Sequence, residues 1–300
     1  MNHPISERKE DNLTMNNILS GIQWKQQSAE CEVLLERANE AVITPLKGGL
    51  EAEVFQITLP DTELVFKIWN RESRSDVSLQ YKVLEQMYRK GLAVSRPYGW
   101  GIDQEQNQVL LTSFDGLPVK KLSTPSLKAI AGILLDIHKV PYDSWGNTEV
   151  PCYDFADYFF PEWAGLPEIR NRALELADKA GMTRHSLIHG DYNLGNILET
   201  RGAYTVIDWT NVQLGDPRYD IAWSILLIRI YVQERYASVY RSAFIANSNY
   251  TEAELEQFEA LACLRWIQLH RTTGIPLGPG TLSTVRAIVQ QNEYLPDTLL

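Results

Sequence analysis

Residues 187–196, LIHGDYNLGN, place several polar side chains directly behind a short apolar run. The apolar start has the character of a buried strand end, whereas the residues after it readily leave regular structure. His189, Asp191 and Asn196 supply an imidazole, a carboxylate and an amide, with Asn193 among them. The segment is therefore either a plain turn or a loop that holds these groups for chemistry.

The twelve residues that follow predict a partner for this loop. The runs NILET and YTVID are two short strands separated by Arg201-Gly202-Ala203, which predicts a hairpin that turns near Gly202. Gly202 lies six residues after Asn196 and six before Asp208. Because paired strands lie only about 5 Å apart, Asn196 and Asp208 are expected to be neighbours. Asp191 can reach the same place from the preceding loop.

Two carboxylates and an amide oxygen at one place are ligands of the kind that Mg²⁺ takes in proteins, where water and phosphate oxygens complete its shell. In this interpretation Asp208 and Asn196 hold the metal. Asp191 is left to accept a proton from an attacking hydroxyl, or to orient that hydroxyl. Each residue taken singly could instead cap a turn, as Asp and Asn often do. The joint spacing favours the site.

The elements that must position these residues change in character along the chain. A loosely attached lead-in is predicted over residues 1 to about 27, then a helix over 28–39, and then alternating runs that form a hairpin across the Pro60-Asp61 turn. A helix over about 76–89 and two further strands follow. After Gly116 helical periodicity dominates, as over 126–138, with two helices in 153–180 that separate near Pro167. Three short strands interrupt this helical region, at 186–188, 197–199 and 204–207. Three or four helices follow from Asp220 on.

This order predicts an α+β fold with a small antiparallel-sheet lobe before a larger, mainly helical lobe. A chain of 300 residues is long enough for two such lobes, at about 150 residues each. We expect a lead-in and helix over 1–43, a first lobe over 44–115 and a second lobe over 116–300. The hinge between the lobes is expected at about 112–116.

HGDYNLGN followed by VIDW resembles the catalytic and metal-binding motifs of the aminoglycoside phosphotransferase family, which is related to choline kinases and to eukaryotic-like protein kinases. The resemblance implies a two-lobed, protein-kinase-like fold and a kinase that uses ATP and Mg²⁺. It also implies that Asp191 is the catalytic aspartate, that Asn196 and Asp208 are the metal ligands, and that His189 orders the loop. GDPRYDIAW is similar to the family as well, and there Asp220 either tethers the catalytic loop or caps a helix.

The resemblance implies ATP contacts in the first lobe too. Gly48 and Gly49 occupy the place of the family's glycine-bearing loop, although a glycine pair in a hairpin is also an ordinary turn. Lys67 lies where similar kinases keep a lysine on the phosphates, although it could be a surface residue. The helix partner of that lysine is open: Gln80 stands where the family often has Glu, and Glu85 follows. VLLTSFDGLPV resembles the hinge that meets adenine, which makes residues 112–115 candidates: Thr112, Ser113, Phe114 and Asp115.

Composition limits the classes of partner. The net charge of −10 argues against nucleic acid, because phosphate binding needs clustered Lys and Arg, and it is compatible with a cationic substrate. Three widely spaced cysteines without metal-binding spacing predict a reduced, cytoplasmic protein. The longest apolar stretch is too short for a membrane span, and a polar N-terminus without an apolar segment predicts no secretion signal. Oligomeric state has no signal in the sequence.

The function expected from these motifs is transfer of the ATP γ-phosphate to a hydroxyl of a small molecule. P-loop, dinucleotide and common hydrolase motifs do not occur. A kinase that acts on proteins would have a long activation loop after Asp208, and this sequence has none. An aminoglycoside-like acceptor is favoured, with choline or another amino alcohol as the alternative; a nucleotide-binding pseudokinase is the alternative of another class. Candidate contacts to a cationic acceptor are Asp154, Asp157 and Glu162. The aromatic stretch YDFADYFFPEW around them could form a cage for an ammonium group or simply pack a helix.

Overall fold

A computed structural model describes residues 19, 21–46, 52–73, 75–141, 145, 148–296 and 299 of the chain. These residues divide into two compact units. The first unit comprises the described residues up to Lys90 together with Val94–Asp115, and the second comprises Gly91–Ala93 and the described residues from Gly116 onward. No helix in these ranges combines the length and the apolar character that crossing a membrane requires.

The first unit is built on an antiparallel sheet whose six described strands lie in the order β1-β5-β6-β4-β3-β2. The strands are β1 (Gln23–Gln27), β2 (Val42–Leu46), β3 (Ala52–Thr58), β4 (Glu63–Trp69), β5 (Pro97–Ile102) and β6 (Gln108–Ser113). The helices are α1 (Ala29–Glu36) and α2 (Val77–Arg89). Ser28 and Asp76 cap these helices because their side chains accept hydrogen bonds from backbone N–H groups in the first turns. The predicted hairpin of β3 and β4 and the predicted helices are confirmed.

Strand β4 shows how the alternating pattern determines the packing. Leu64, Phe66 and Ile68 share one face and lie in a buried cluster with Leu34 of α1. Successive side chains of a strand point to opposite faces, so Lys67 lies on the other face. That face is largely buried too, which places the lysine side chain beside apolar surface rather than on an open solvent face.

Strand β1 differs from the sequence prediction, which made residues 1 to about 27 a loosely attached lead-in. Gln23–Gln27 pairs antiparallel with β5, with Trp24 opposite Gly101. Four of the five side chains of β1 are exposed, so no apolar alternation marks it. Main-chain hydrogen bonds hold such an edge strand, and hydrophobic periodicity therefore gives no signal for it. The part of the predicted lead-in before residue 19 lies outside the described residues.

The second unit is mainly helical. Its helices are α3 (Thr124–His138), α4 (Phe155–Phe159), α5 (Pro167–Lys179), α6 (Pro217–Tyr231), α7 (Glu234–Asn247), α8 (Glu252–Thr273) and α9 (Thr281–Gln291). Its short strands are β7 (Leu117–Pro118), β8 (Ser186–Ile188), β9 (Ile197–Thr200), β10 (Ala203–Val206) and β11 (Gln213–Gly215). The order β10-β9-β7 forms one antiparallel sheet, and β11 pairs with β8 in another. The α+β class predicted from the sequence is confirmed.

Helices α6 and α8 form the centre of the second unit. Trp223 of α6 and Phe258, Leu261 and Trp266 of α8 belong to one buried cluster with residues of α4, α5 and α9. Pro167 occupies the first position of α5, where a missing N–H costs nothing, and this separates α5 from α4 as predicted. The two central helices therefore form a buried support for the loops that pack on them.

Candidate functional site

The hairpin that carries two of the candidate residues forms as expected, with a register shifted by one residue. Arg201 and Gly202 both have positive φ, at 51° and 83°, as a two-residue hairpin turn requires. Val206 is opposite Ile197, so the residue opposite Asn196 is Ile207 rather than Asp208. The Ile207 N–H donates to the Asn196 carbonyl oxygen over 3.0 Å. Asp208 therefore lies one residue beyond the expected position, because the turn is centred between Arg201 and Gly202.

Asn196 also binds the loop that carries Asp191. Its Nδ2 donates to the Asp191 carbonyl oxygen over 3.0 Å and lies 3.5 Å from Asp191 Oδ2. Asp208 has a left-handed backbone, with φ of 66°, and its Oδ1 accepts a hydrogen bond of 2.8 Å from the Thr210 hydroxyl. The structure thus brings Asp191 and Asn196 into contact and places Asp208 directly after the residue that binds Asn196.

This donor set fits a hard divalent cation. Because Nδ2 of Asn196 is engaged with Asp191, its Oδ1 is the atom left to act as a ligand, and Asp208 adds carboxylate oxygens. Within the described ranges no cluster of three or more His, Cys, Asp or Glu side chains suited to a metal occurs. A site of this composition suits Mg²⁺, which uses few protein ligands and keeps water and phosphate oxygens, better than a metal held by an all-protein cage.

His189 is fully buried and links the loop to the hairpin. Its Nδ1 accepts a hydrogen bond from the Asp191 N–H over 3.2 Å, so Nε2 carries the proton and donates to the Ile207 carbonyl oxygen over 2.9 Å. The ring packs against Trp209, with centroids 4.7 Å apart. His189 therefore fixes Asp191 relative to the strand that leads to Asp208.

Asp220 binds the loop backbone from helix α6. Its two oxygens accept from the N–H groups of His189, over 2.6 Å, and Gly190, over 2.8 Å. His138 Nε2, at 3.2 Å, is a third partner of the same buried carboxylate. The N-cap of α6 is Asp216, whose side chain accepts from the Arg218 N–H. Of the two interpretations of Asp220, the structure favours a tether for the loop over a helix cap, and His138 is a packed helix residue.

Two residues at this loop are not among the candidates from the sequence. Trp223 Nε1 donates to Asp191 Oδ1 over 2.8 Å. Arg265 Nη1 donates to the Gly190 carbonyl oxygen over 2.8 Å and to the Tyr219 hydroxyl over 2.9 Å. Trp223 has a local signal, since it follows Asp220 by one helical turn. Arg265 lies on α8, far along the chain, where the sequence carries no recognisable motif.

Lys67 of the first unit lies between the neighbouring strands, opposite Val54 of β3 and Leu110 of β6. Its Nζ is 5.9 Å from the ring centroid of Trp69. Of its two possible helix partners, Glu85 pairs with Arg89 over 2.8 Å along α2. Gln80 is buried, and its Nε2 has no hydrogen-bond partner among the described residues. Of these two candidates on α2 the buried residue is thus Gln80, a neutral amide, at the position where the family often has a glutamate.

The proposed hinge residues end strand β6. The N–H groups of Ser113 and Phe114 already donate to the carbonyl oxygens of Arg96 and Glu63, so they serve the sheet. The Ser113 hydroxyl donates to both carboxylate oxygens of Asp115; burial nonetheless raises the pKa of Asp115. Thr112 is buried within the sheet. The other predicted nucleotide contacts, Gly48 and Gly49, lie outside the described residues.

Two of the three predicted acceptor contacts, Asp154 and Asp157, have partners in the described structure. Asp154 caps α4 by accepting from the N–H groups of Ala156 and Asp157, and it also forms an ion pair with Arg184 over 2.7 Å. Asp157 pairs with Arg170 over 2.6 Å. Glu162 is exposed in a short turn. The two aspartates thus already have arginine partners, which their spacing in the sequence did not indicate.

The aromatic stretch around these acids mostly packs the helix. Phe155, Phe159 and Phe160 are buried in the core of the second unit. Tyr153 stacks on Tyr158 with centroids 4.9 Å apart. The described contacts therefore favour core packing over an ammonium cage.

Comparisons with known proteins identify the family and the fold of the chain. A model of the phosphotransferase enzyme family matches residues 42–258. No curated protein sequence matches the chain significantly.

Several solved structures share the fold. A thermostable mutant of aminoglycoside phosphotransferase APH(4)-Ia has a TM-score of 0.63 at 19% identity, covering 87% of this chain and 99% of that one. Choline kinase LicA from Streptococcus pneumoniae has a TM-score of 0.62 at 16% identity, covering 88% and 98%. Amicoumacin kinase hAmiN, solved with AMP-PNP, Ca²⁺ and Ami, has a TM-score of 0.59 at 15% identity, covering 89% and 96%. At these identities the structures show a common fold. Because the family match covers well over half of the chain, this protein belongs to the phosphotransferase enzyme family and has the protein-kinase-like fold of small-molecule kinases.

Proposed function

We propose that this protein transfers the γ-phosphate of ATP, with Mg²⁺, to a hydroxyl group of a small molecule. The observation that carries the proposal is the contact of Asn196 with the Asp191 loop on one side and with the strand that leads to Asp208 on the other. In this proposal one hairpin and one loop would supply a base, Asp191, and two oxygen ligands, Asn196 and Asp208. This is the set of groups that in-line phosphoryl transfer needs from a protein.

The residues divide the work by their surroundings. Asp191 would accept a hydrogen bond from the acceptor hydroxyl and take its proton as the new P–O bond forms, while ADP leaves with the electron pair of the broken bond. Asn196 Oδ1 and the Asp208 carboxylate would hold Mg²⁺, which when bound supplies positive charge beside the phosphate oxygens. Lys67 would add a further positive charge at the phosphates. Positioning and charge stabilisation then supply most of the rate acceleration.

An aminoglycoside-like acceptor is favoured, and choline or another amino alcohol is the alternative. The net charge of −10 supports a cationic acceptor of either kind. Among the similar structures, one aminoglycoside phosphotransferase was solved with ADP and hygromycin B, and another relative is a choline kinase. Asp154 and Asp157 are paired with arginines, so they support neither acceptor over the other. A cytoplasmic location belongs to the same proposal and is supported by three free cysteines.

The acceptor is identified by ADP release with Mg·ATP over a panel of aminoglycosides, amino alcohols, sugars and macrolides. We expect at least one member to raise the rate of ADP release well above that without acceptor. Formation of a phosphorylated product, followed by mass spectrometry, distinguishes acceptor phosphorylation from stimulated hydrolysis. If no member raises ADP release above the basal rate, the proposal of a kinase for these acceptors fails.

Replacing Asp191 with Asn separates an enzyme from a nucleotide-binding pseudokinase. The amide keeps the size of the side chain but accepts no proton, so we expect turnover to fall by at least about 10³-fold. Binding of Mg·ATP should persist, because Asn196, Asp208 and Lys67 are unchanged. Thermal unfolding with and without saturating Mg·ATP measures that binding, since a ligand of the folded state raises the midpoint. Turnover that survives in Asp191→Asn would remove Asp191 as the catalytic residue.

A further inference from the structure

One face of helix α6 holds three successive residues of the catalytic loop. Asp220 and Trp223 are three residues apart, a spacing that places two side chains on the same helix face. Asp220 binds the N–H groups of His189 and Gly190. Trp223, one turn later, binds the side chain of Asp191. The helix therefore holds the backbone before the aspartate and the carboxylate itself.

The two oxygens of the Asp191 carboxylate have different surroundings. Oδ1 accepts a short hydrogen bond of 2.8 Å from the indole N–H of Trp223. Oδ2 is 3.5 Å from Asn196 Nδ2, which makes a shorter hydrogen bond of 3.0 Å to the Asp191 carbonyl oxygen. A hydrogen bond to a charged acceptor is among the stronger ones in proteins. The indole thus fixes the rotamer of Asp191 and leaves Oδ2 as the oxygen for the acceptor hydroxyl.

Arg265 supports the indole from behind. Its guanidinium carbon lies 4.5 Å from the ring centroid of Trp223 and 4.3 Å from that of Phe159, so the charged group lies against both aromatic faces. The same guanidinium donates to the Gly190 carbonyl oxygen and to the Tyr219 hydroxyl. A cation on the face of an indole withdraws electron density from the ring and strengthens its N–H as a donor. Arg265 therefore acts on both the backbone of the loop and the residue that holds Asp191.

We infer that Trp223 is a positioning residue for Asp191, supported by Arg265, and that it determines which carboxylate oxygen meets the acceptor hydroxyl. The inference rests on the proposed function, because it assigns the task to the aspartate of that reaction. Trp223 is buried and donates its indole N–H to the Asp191 carboxylate, so we expect it to act on the reaction through that carboxylate. Its loss should therefore lower the rate of the chemical step with little change in substrate binding.

The first test compares Trp223→Phe with Trp266→Phe. Phenylalanine keeps an aromatic ring and removes the N–H donor. Trp266 is an apt control because it is buried too, and its indole donates to the Tyr231 hydroxyl rather than to the loop. With the acceptor that gives the fastest ADP release, we expect kcat of Trp223→Phe to fall about 10- to 100-fold and KM to change less than about threefold. Trp266→Phe should retain kcat. Equal kcat values in the two variants would overturn the inference.

A second measurement does not depend on turnover or on folding of the tryptophan variant. The chain has eight tryptophans, and the indole N–H resonance of Trp223 is assigned from triple-resonance and NOE spectra of the unmodified protein labelled with ¹³C and ¹⁵N. In Asp191→Asn the resonance of Trp223 should move upfield, because a neutral amide oxygen replaces a carboxylate as acceptor, while that of Trp266 stays in place. An unmoved Trp223 resonance would overturn the inference. Absence of ADP release from the unmodified protein, with the resonance shift present, would instead overturn the proposed function alone.

Discussion

Gly190 is the position in the loop where a side chain would meet backbone. Its φ is 78°, and a Cβ there would lie 2.7 Å from the Asn211 carbonyl oxygen. Gly202 in the hairpin turn has a similar φ of 83° but open space around its Cβ position. A side chain at either glycine would have to adopt the same left-handed backbone conformation, and only at Gly190 would it also clash with a neighbour. The two positions are therefore a matched pair for substitution.

We predict that Gly202→Ala costs about 1 kcal/mol of unfolding free energy, the usual penalty for a left-handed alanine. Gly190→Ala should cost about 2–4 kcal/mol, because the loop must also move away from Asn211, and ADP release should fall with it. Urea unfolding measures the free energies and the ADP-release assay the activity. Equal free energies for the two variants would mean that the approach of Gly190 to Asn211 is not tight in solution.

At the scale of elements, the first turns of α6 and α8 are joined by charge. Glu254 in the first turn of α8 accepts from the Thr251 N–H and hydroxyl in a capping box. It also pairs with Arg218 over 3.1 Å, and Arg218 binds Asp216 at the N-cap of α6. The hydrogen bond from the Thr251 backbone is the main reason why the pKa of Glu254 lies below its ordinary value of 4.5. These helices carry Trp223 and Arg265, so the link stabilises the support of the loop.

We predict a pH-dependent loss of stability in Glu254→Gln. A lowered pKa means that the charged carboxylate stabilises the folded state fully above about pH 4.5, and that this contribution disappears as the pH falls through the lowered value. Glutamine keeps the capping geometry, so the change removes mainly the charge. Because Glu254 is 39% exposed, solvent screening limits the loss to about 0.5 kcal/mol at neutral pH.

Urea unfolding of the unmodified protein and the variant at about pH 7 and about pH 4 measures this difference. Glu252→Gln is the control, because it removes the same charge from the same turn at a more exposed carboxylate. The outcome against the prediction is that the free energies of unfolding of Glu254→Gln and the unmodified protein differ by the same amount at both pH values. That result would show that geometry, and not charge, stabilises the turn.

At the scale of the whole molecule, the spacing of residues along the chain predicted the helices and strands. It did not predict the contacts between residues that are distant in the sequence. Asn196 and Asp208 could be placed near each other because a short hairpin fixes the distance between its ends, to within one residue of register. Arg265 reaches the loop only because α8 packs on α6, which no local pattern reports, whereas Trp223 lies one turn after Asp220 on the same helix. Polar edge strand β1 was missed because exposed side chains leave no apolar period. The arginine partners of Asp154 and Asp157 were likewise distant in the chain.

The net charge of the molecule leads to the last prediction. With 28 basic and 38 acidic residues, the chain attracts cations over distances beyond direct contact. Raising the ionic strength from about 0.01 M to about 0.15 M shortens the screening length from about 30 Å to about 8 Å. We therefore predict that KM for a polycationic aminoglycoside rises about threefold or more over this range, whereas KM for an uncharged sugar acceptor stays nearly constant.

Initial rates of ADP release at several salt concentrations measure both KM values, with the same enzyme as its own control. A polycation carries several charges that respond to the field together, whereas choline carries one, so the slope of log KM against log salt should be smaller for choline. The slope thus reports how many acceptor charges the protein senses. A polycationic acceptor whose KM did not respond to salt would show that short-range contacts, and not the overall negative charge, select the acceptor.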